Sequence, residues 1–469
     1  MPGSFGNRGQ MRHVARRNGG EALAYLGKSF EMQNIRQKTF VFQQVVVTLW
    51  RKWAGNVCRM HFDLPELYFP EKARNMPIEW ASEACDRARD PESEAMLTQL
   101  TSSAMSSINI YCEQPYTSPD GNRVAIVRKA DVSFDSGWRL IVADLKTLKL
   151  TMIESDGVMG IGNAAWTGQL HYMKADGTLW CVDLQTLEKR SIAVPKDVDL
   201  SNRGLSIAPN QKHIIYFGYV KGPTVQLLLV DLETQSQRVI FEHPEIINPH
   251  VQINPVHGEQ ILVQHNRGSK LRDDLSIERF VSELGTTHFV IDLDGGNMTP
   301  LPAGQPHTGT STGHSNWVAD TGRVCWAAHW NLQDWTLGEL NKGGNIHTAA
   351  PGDAEATPFI APEHRVNHVN VSKCGRYFVG DSITEGANGI FDDDGTLRSP
   401  VIVIGNLATG KYRTLVSRIT AGVGGGQHQH LHVYFTADNR NVIYNDGSYT
   451  GPSQVWAARV PEGFLESLD

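Results

Sequence analysis

The sequence has little of what marks several common protein classes. Its six cysteines stand far apart, as Cys58, Cys85, Cys112, Cys181, Cys325 and Cys374. Because no Cys-x-x-Cys pair occurs, free thiols in a reducing compartment are expected rather than a disulfide framework or a zinc–thiolate site. No apolar run approaches the length of a membrane span, and the net charge of −7 argues against a dedicated nucleic-acid binder. We therefore predict a cytoplasmic protein that binds neither membranes nor nucleic acid.

Two catalytic motifs are also missing. The glycine-rich run Gly422–Gly426 is not followed by the Lys-Ser/Thr pair of a phosphate-binding loop. No nucleophile elbow, the strained turn between a strand and a helix that carries a reactive serine, is evident in the sequence. Neither P-loop chemistry nor serine-hydrolase chemistry is therefore indicated.

The beginning of the chain differs in charge from the remainder. Residues 1–60 contain ten Lys and Arg against two acidic residues, a local charge of +8, and show no clean periodicity. We expect them to form a poorly ordered extension. Residues 61–106 are predicted to be a helical lead-in, with a helix over Pro77–Ser103. The apolar residues of that helix recur at helical spacing, as Ile78, Ala81, Ala84, Cys85 and Ala88.

From about Ser107 the chain is a succession of short β-rich runs separated by turn signals. An apolar strand enters a Pro/Asp/Gly turn, a second strand follows, a third ends in Asp, and a Thr-x-x turn leads to a fourth. Seven such units begin near residues 113, 163, 204, 250, 314, 368 and 430. Four-stranded units at a period of roughly 50 residues indicate an all-β fold, a seven-bladed β-propeller.

The last unit supplies three strands before Pro461, so closure of the ring requires a strand from the N-terminal side. We predict Ser107–Cys112 as this closing strand. The propeller is then expected to span residues 107–461, with a C-terminal tail at 462–469.

The segment Gln427–His432 combines an amide and two histidines after a run of glycines. Residues two apart in an extended strand point to the same face, so His430 and His432 present two imidazoles side by side. A glycine-rich loop permits the Gln427 amide to bend back toward them. Imidazole and amide donors that converge on one point indicate a metal site, whereas the simpler alternative is three polar residues on a solvated edge strand.

Other histidines begin the predicted first strands of neighbouring blades. His250, His314 and His368 open the fourth, fifth and sixth units, and His430 with His432 opens the seventh. The first strand of each blade lines the central channel of a propeller. These histidines are therefore expected at one end of one channel, where they form a shared site.

Together these motifs resemble the oligogalacturonate lyases of pectin degradation, which are seven-bladed propellers with a manganese ion. The resemblance rests on Gln-x-x-His-x-His at Gln427–His432, Gly-His-x-x-Trp at Gly313–Trp317 and His-x-Gln-x-x-Pro at His250–Pro255. It covers roughly residues 107–461 of the sequence.

The resemblance implies roles for individual residues. His314, Gln427, His430 and His432 match the metal ligands, and the divalent ion is expected to be Mn²⁺. His250 matches the proposed general base. The implied activity is β-elimination on a 4-linked uronide such as oligogalacturonate, in which the base takes the C5 proton while the metal binds the carboxylate. Neutral imidazole and amide ligands leave the double charge of the ion for this acidic oligosaccharide.

The sequence departs from that family beside the predicted base. Gln264–Gly268 stands where the family has a Cys-His-Glu-Gly-Pro run, and Leu228 and Leu229 occupy a strand in which the family has a basic residue. Lys221 and Arg267 are predicted to bind the acidic substrate instead. A related propeller enzyme for another acidic or oxidised sugar is one alternative, and a propeller that only binds a partner is the other.

Overall fold

The computed structural model describes residues 78–130, 137–196, 198–200, 204–329, 343–384, 400–417, 419, 430–447 and 452–469. The chain divides into two units after Met76, and the described residues belong to the second unit, Pro77–Asp469. The predicted extension at residues 1–60 and Gln427 lie outside the described residues. In the part of the chain that is described, no helix has the length and hydrophobicity needed to cross a bilayer.

The first ten strands build mainly one large antiparallel sheet. They are β1 (Ala81–Ser82), β2 (Cys85–Arg89), β3 (Met96–Gln99), β4 (Ser107–Ile108), β5 (Arg123–Lys129), β6 (Trp138–Asp144), β7 (Lys149–Asn163), β8 (Gln169–Lys174), β9 (Leu179–Asp183) and β10 (Lys189–Ile192). The sheet has the order β10-β9-β8-β7-β6-β5-β4, and β1 also pairs with β7. The long β7 pairs mainly with β6 in its first half and with β8 in its second half, so it belongs to two groups of strands.

Consecutive strands in the middle of the chain form four-stranded antiparallel sheets. The first contains β11 (Ser206–Ile207), β12 (His213–Val220), β13 (Thr224–Asp231) and β14 (Ser236–His243). The second contains β15 (Gln252–Ile253), β16 (Gln260–Asn266), β19 (Thr286–Asp292) and β20 (Thr299–Pro300), with the hairpin β17 (Lys270–Leu271) and β18 (Ile277–Arg279) inserted. The third contains β21 (Ser311–Trp317), β22 (Val324–Ala328), β23 (Ile346–Ala349) and β24 (Thr357–Phe359). The fourth contains β25 (His364–Val371), β26 (Tyr377–Thr384), β27 (Pro400–Asn406) and β28 (Tyr412–Val416).

The last sheet joins the two ends of the described unit. Its order is β2-β3-β31-β30-β29, where β29 is Tyr434–Phe435, β30 is Asn441–Asp446 and β31 is Gln454–Arg459. A strand from the N-terminal side therefore completes this sheet, but the predicted identity of that strand was wrong. The closing strand is β3, and Ser107–Ile108 pairs with β5 instead.

The lead-in forms strands where a helix was predicted. The free edge of β31 offers a row of backbone N–H and C=O groups, and all four residues of β3 pair with Trp456–Arg459 of that edge. The β2–β3 hairpin is also tied to the adjoining sheet, because Asp90 accepts hydrogen bonds from Ser93 N at 3.0 Å and Ser417 N at 2.7 Å. These tertiary partners outweigh the helical spacing of the apolar residues, since propensity is a weak prior.

Apolar clusters lie between neighbouring sheets. Within β12, Ile214 packs into the cluster toward the preceding sheet and Ile215 into the cluster toward the following sheet. Successive side chains of a strand point to opposite faces, so each sheet contributes to two clusters. The predicted C-terminal tail takes part as well, because Phe464 and Leu468 are buried against the last two sheets and Glu466–Leu468 forms a 3-10 turn.

Candidate active site

Three consecutive sheets carry the same His-x-Asn/Gln pattern at their first strand. The three segments are His250-Val251-Gln252, His314-Ser315-Asn316 and His368-Val369-Asn370. The amides of this pattern are buried and join the strands: Gln252 Nε2 donates to Ser315 O at 2.8 Å, and Asn370 Nδ2 donates to Asn316 Oδ1 at 2.9 Å. The amide layer thus fixes the spacing of the strands whose histidines lie next to it.

Three histidines form a group with the spacing of a metal site. One ring nitrogen from each of His368, His430 and His432 lies within 4.8 Å of the other two. His314 adjoins them, because its ring centroid is 4.1 Å from that of His368. We refer to these four residues as the histidine cluster. The structure thus brings three of the predicted ligands together and adds His368, while Gln427 is outside the described residues and its role stays a prediction.

His314 is placed by the glycine before it and by a neighbouring strand. Gly313 has a φ of +87°, and a Cβ there would lie 2.7 Å from Gln264 Oε1, so both the conformation and the close approach favour glycine. His314 Nδ1 donates to the carbonyl oxygen of Asn367 at 2.9 Å. This hydrogen bond selects the tautomer in which Nε2 carries the lone pair that can bind an ion.

A buried carboxylate orients His368. Asp381 Oδ2 lies 2.6 Å from His368 Nδ1, and Asp381 Oδ1 accepts a hydrogen bond from His368 N at 2.7 Å. The two side chains are 2% and 6% exposed. A carboxylate on one ring nitrogen commonly supports a histidine that binds metal through the other. His368 Nε2 is buried and has no hydrogen-bond partner among the described residues, which suits it to a ligand.

Two buried asparagines hold the backbone of His430 and His432. Asn109 Nδ2 donates to His432 O at 2.7 Å, and Asn445 Nδ2 donates to His430 O at 2.9 Å. Asn109 N also donates to Asn445 Oδ1 at 2.9 Å, so the two amides form one network. His432 has a φ of +46°, which is unusual outside glycine. Such a conformation persists where surrounding bonds enforce it, and it is frequent at functional sites.

The surroundings of His314 favour a neutral imidazole. Burial holds the pKa of His314 well below its ordinary value of 6.5, and His368, His250 and His432 depress it further. Metals bind the neutral form of histidine, so His314 is already in the form that a metal ligand requires.

His250 lies beside the cluster and is paired with Glu113, a residue that the sequence analysis did not identify. His250 Nδ1 is 2.5 Å from Glu113 Oε1, and Asn248 Nδ2 lies 2.8 Å from His250 Nε2. Burial lowers the pKa of His250, but the Glu113 carboxylate outweighs burial, so the pKa lies above 6.5. The ring centroids of His250 and His314 are 6.3 Å apart. A carboxylate–histidine dyad next to a candidate metal site is suited to proton abstraction.

Tyr111 contacts both parts of the site. Its ring centroid is 4.5 Å from that of His432, 5.8 Å from that of His250 and 6.2 Å from that of His314. Burial raises the pKa of Tyr111 well above its ordinary value of 10. Tyr111 is therefore a neutral phenol that can donate a hydrogen bond between the dyad and the cluster.

Gln264–Gly268, where the sequence departs from the oligogalacturonate lyases, supports the backbone before His250. Gln264 N donates to Pro249 O at 2.7 Å, and Asn266 Nδ2 donates to Ile247 O at 2.6 Å. Gln264 Nε2 in turn donates to Asn266 Oδ1 at 2.9 Å. The backbone of Gln264 and the side chain of Asn266 thus hold the turn in which His250 adopts a φ of +44°.

Arg267 and Lys221, the two residues predicted to bind the acidic substrate, do not lie beside His250 in the described lining of its cavity. The Arg267 guanidinium donates to the backbone carbonyls of Gln305 at 2.9 Å and Gly285 at 3.1 Å, and it also contacts that of Leu284. Lys221 is exposed in the turn between β12 and β13. Neither is among the described residues that line the cavity beside His250. Their roles in substrate binding stay predictions.

That cavity has a volume of about 390 Å³. Its polar lining residues include Tyr111, Glu113, Asn248 and His250, and the rings of Tyr111 and His250 also lie close to the histidine cluster. A cavity of this size with several polar groups in its lining is typical of a small-molecule site.

Comparison with known proteins supports the fold. No family model matches the sequence, and no curated protein matches it. An oligogalacturonate lyase in complex with manganese is similar at 20% identity and a TM-score of 0.56, over 83% of this chain and 98% of that one. The oligogalacturonate lyase from Vibrio parahaemolyticus is similar at 18% identity and a TM-score of 0.61, over 82% of this chain and 99% of that one.

These likenesses define the class of the fold. This chain is an all-β protein with the β-propeller fold of the oligogalacturonate lyase structures. The resemblance seen in the sequence motifs is confirmed at the level of the fold.

Proposed function

We propose that this protein is a metal-dependent lyase that cleaves a 4-linked uronide, such as an oligogalacturonate, by β-elimination. The observation that carries the proposal is the Glu113–His250 dyad next to the histidine cluster, with 6.3 Å between the rings of His250 and His314. Removal of the weakly acidic C5 proton needs a base and a charge that stabilises the adjacent carboxylate, and the site has a place for each. The similar fold of an oligogalacturonate lyase in complex with manganese supports this assignment.

The histidine cluster fits a divalent cation. His314, His368, His430 and His432 would hold it, joined by Gln427 as the resemblance implies. A bound cation supplies charge that stabilises the carboxylate while C5 loses its proton. Manganese is the ion we propose, and imidazole donors also accept zinc, nickel or iron.

His250 is the base in this proposal. Its Nδ1–H donates to Glu113, which fixes the tautomer and stabilises the imidazolium that forms. Nε2 takes the C5 proton, and the Asn248 amide that now contacts Nε2 marks the direction from which the proton arrives. The electron pair of the C5–H bond forms the C4=C5 double bond, the C4–O4 bond breaks, and O4 takes a proton from solvent. The products are a 4,5-unsaturated uronate and the released sugar, and His250 then loses its proton to water.

Metal analysis and turnover test the proposal. We expect stoichiometric divalent metal in the wild-type protein and cleavage of a uronide, followed by the absorbance of the unsaturated product. His430→Ala/His432→Ala should lose both metal and turnover. His250→Ala should keep the metal and lose turnover by orders of magnitude. Metal retained in the double variant, or unchanged turnover in His250→Ala, contradicts the proposal, and metal without cleavage of any uronide favours a binding propeller.

We further propose that the sheets count as seven blades. The eight-stranded sheet would supply two blades that share β7. The four four-stranded sheets and the five-stranded sheet would supply the other five blades.

The free thiols support a cytoplasmic location, because disulfides are rare in that compartment. They are Cys85, Cys112, Cys181, Cys325 and Cys374.

A further inference from the structure

The cavity beside His250 bears on which uronide is the substrate, and the inference rests on the proposed function. We propose that the residue linked to the reacting uronate is an uncharged ring with an apolar face rather than a second uronate, which narrows the proposed 4-linked uronide to one of mixed composition and excludes an oligogalacturonate. Glu113 and His250 line the cavity, whereas none of the four histidines of the histidine cluster is among its described lining residues. In the proposed function the carboxylate of the reacting uronate lies at the cluster, so we assign the cavity to the residue linked to that uronate.

Most of the other residues that line the cavity are apolar, while Gln114 and Asn248 line it as well. The apolar ones include Ile110, Trp138, Met159, Ile161, Leu205 and Phe217. Trp138 and Phe217 are flat aromatic rings, which pack against the C–H faces of sugar rings or against aryl groups. A volume of about 390 Å³ accommodates one six-membered ring with its substituents.

The charge of the lining opposes a second carboxylate. The described lining residues include the acidic Glu113 and contain no Lys or Arg. A carboxylate placed there would lose hydration without gaining a cation from the described lining, and it would lie near the Glu113 carboxylate. The Arg267 guanidinium donates to the backbone carbonyls of Gly285 and Gln305, and Lys221 is exposed in a turn. Neither residue therefore adds a positive charge to the described lining.

A pair of disaccharides tests the inference. Both carry the same reacting uronate, and its neighbour is a second uronate in one and a neutral hexose in the other. We expect kcat/KM at least about tenfold higher for the neutral neighbour, the scale of one mismatched contact in a binding pocket. Phe217→Arg introduces a cation into the lining and should reverse the preference by raising kcat/KM for the diuronate and lowering it for the other substrate.

Val239→Arg is the matched control, because Val239 is 46% exposed on β14 of the same sheet as Phe217. It adds the same charge away from the cavity and should leave both values unchanged. A wild-type enzyme that cleaves the diuronate equally well or better overturns the inference and leaves the proposed function standing.

If no uronide is cleaved, the proposed function is refuted. Binding measurements then still test the inference about the residue linked to the uronate. Calorimetry with metal-loaded His250→Ala then compares the affinities of the two disaccharides. At least about tenfold tighter binding of the neutral-neighbour disaccharide supports the inference, and equal or weaker binding overturns it.

Discussion

Replacement of Glu113 by glutamine is the sharpest test of the proposed base. Glu113 Oε1 lies 2.5 Å from His250 Nδ1, and the two side chains are 12% and 16% exposed. Glutamine keeps the shape and an acceptor oxygen but removes the negative charge. We therefore expect the fold and the histidine cluster to remain, while His250 loses its electrostatic partner.

The expected loss of rate follows from the charge removed. Two unit charges about 4 Å apart interact by about 4 kcal/mol at an effective dielectric constant of about 20. In the transition state the proton is partly on His250, so roughly half of this, about 2 kcal/mol, is at stake. That value corresponds to about a thirtyfold fall in kcat.

The pH profile of Glu113→Gln distinguishes a lost charge from a damaged fold. In the wild-type protein burial lowers the pKa of His250, and Glu113 raises it to a net value above 6.5. Without the carboxylate the effect of burial remains, so the pKa falls. A base acts in its deprotonated form, and activity therefore rises with pH through this pKa. The acid limb of the variant should move to lower pH even though its maximal rate is smaller.

The assay measures kcat, KM and bound metal across the pH range. Glu245→Gln is the matched control, because Glu245 Oε2 pairs with His265 Nε2 at 3.2 Å. It should leave the kinetics unchanged. Our reasoning about the dyad fails if Glu113→Gln keeps the wild-type rate, or if it slows the reaction without shifting the acid limb.

Two further predictions concern buried carboxylates. Asp381→Asn should weaken metal binding about 10- to 100-fold because His368 loses the group that orients it, and an unchanged metal titration contradicts this role. Asp90→Ala should lower the free energy of unfolding by roughly 2–4 kcal/mol, because Asp90 accepts hydrogen bonds from Ser93 and Ser417. Burial raises the pKa of Asp90, but its hydrogen bonds outweigh burial and hold it below 3.8, so this stabilisation is present above about pH 4 and lost as pH falls through the lowered pKa. Urea unfolding should show a smaller difference between wild type and variant at about pH 2.5 than at about pH 7, and equal differences contradict it.

The strand pattern was predictable because it depends on local signals. Units expected near residues 204, 250 and 368 correspond to first strands at β11, β15 and β25, since alternating apolar residues and turn residues act within a few positions. The closing strand Met96–Gln99 was not predictable in this way. Its conformation depends on the free edge of Gln454–Arg459, far along the chain, and local spacing favoured a helix.

The positions of His314 and His368 were predictable because each lies in the first strand of its sheet. The extended strand predicted for His430 and His432 was wrong, because both precede β29 and His432 has a φ of +46°. The His-x-Asn/Gln pattern at His250, His314 and His368 was a signal for His368, although the resemblance did not assign it as a ligand. Glu113 has no such signal, because 137 positions separate it from His250 and the fold brings them together. The electrostatic partner that raises the pKa of the proposed base is thus set by how the sheets close on one another, and no motif around His250 contains that information.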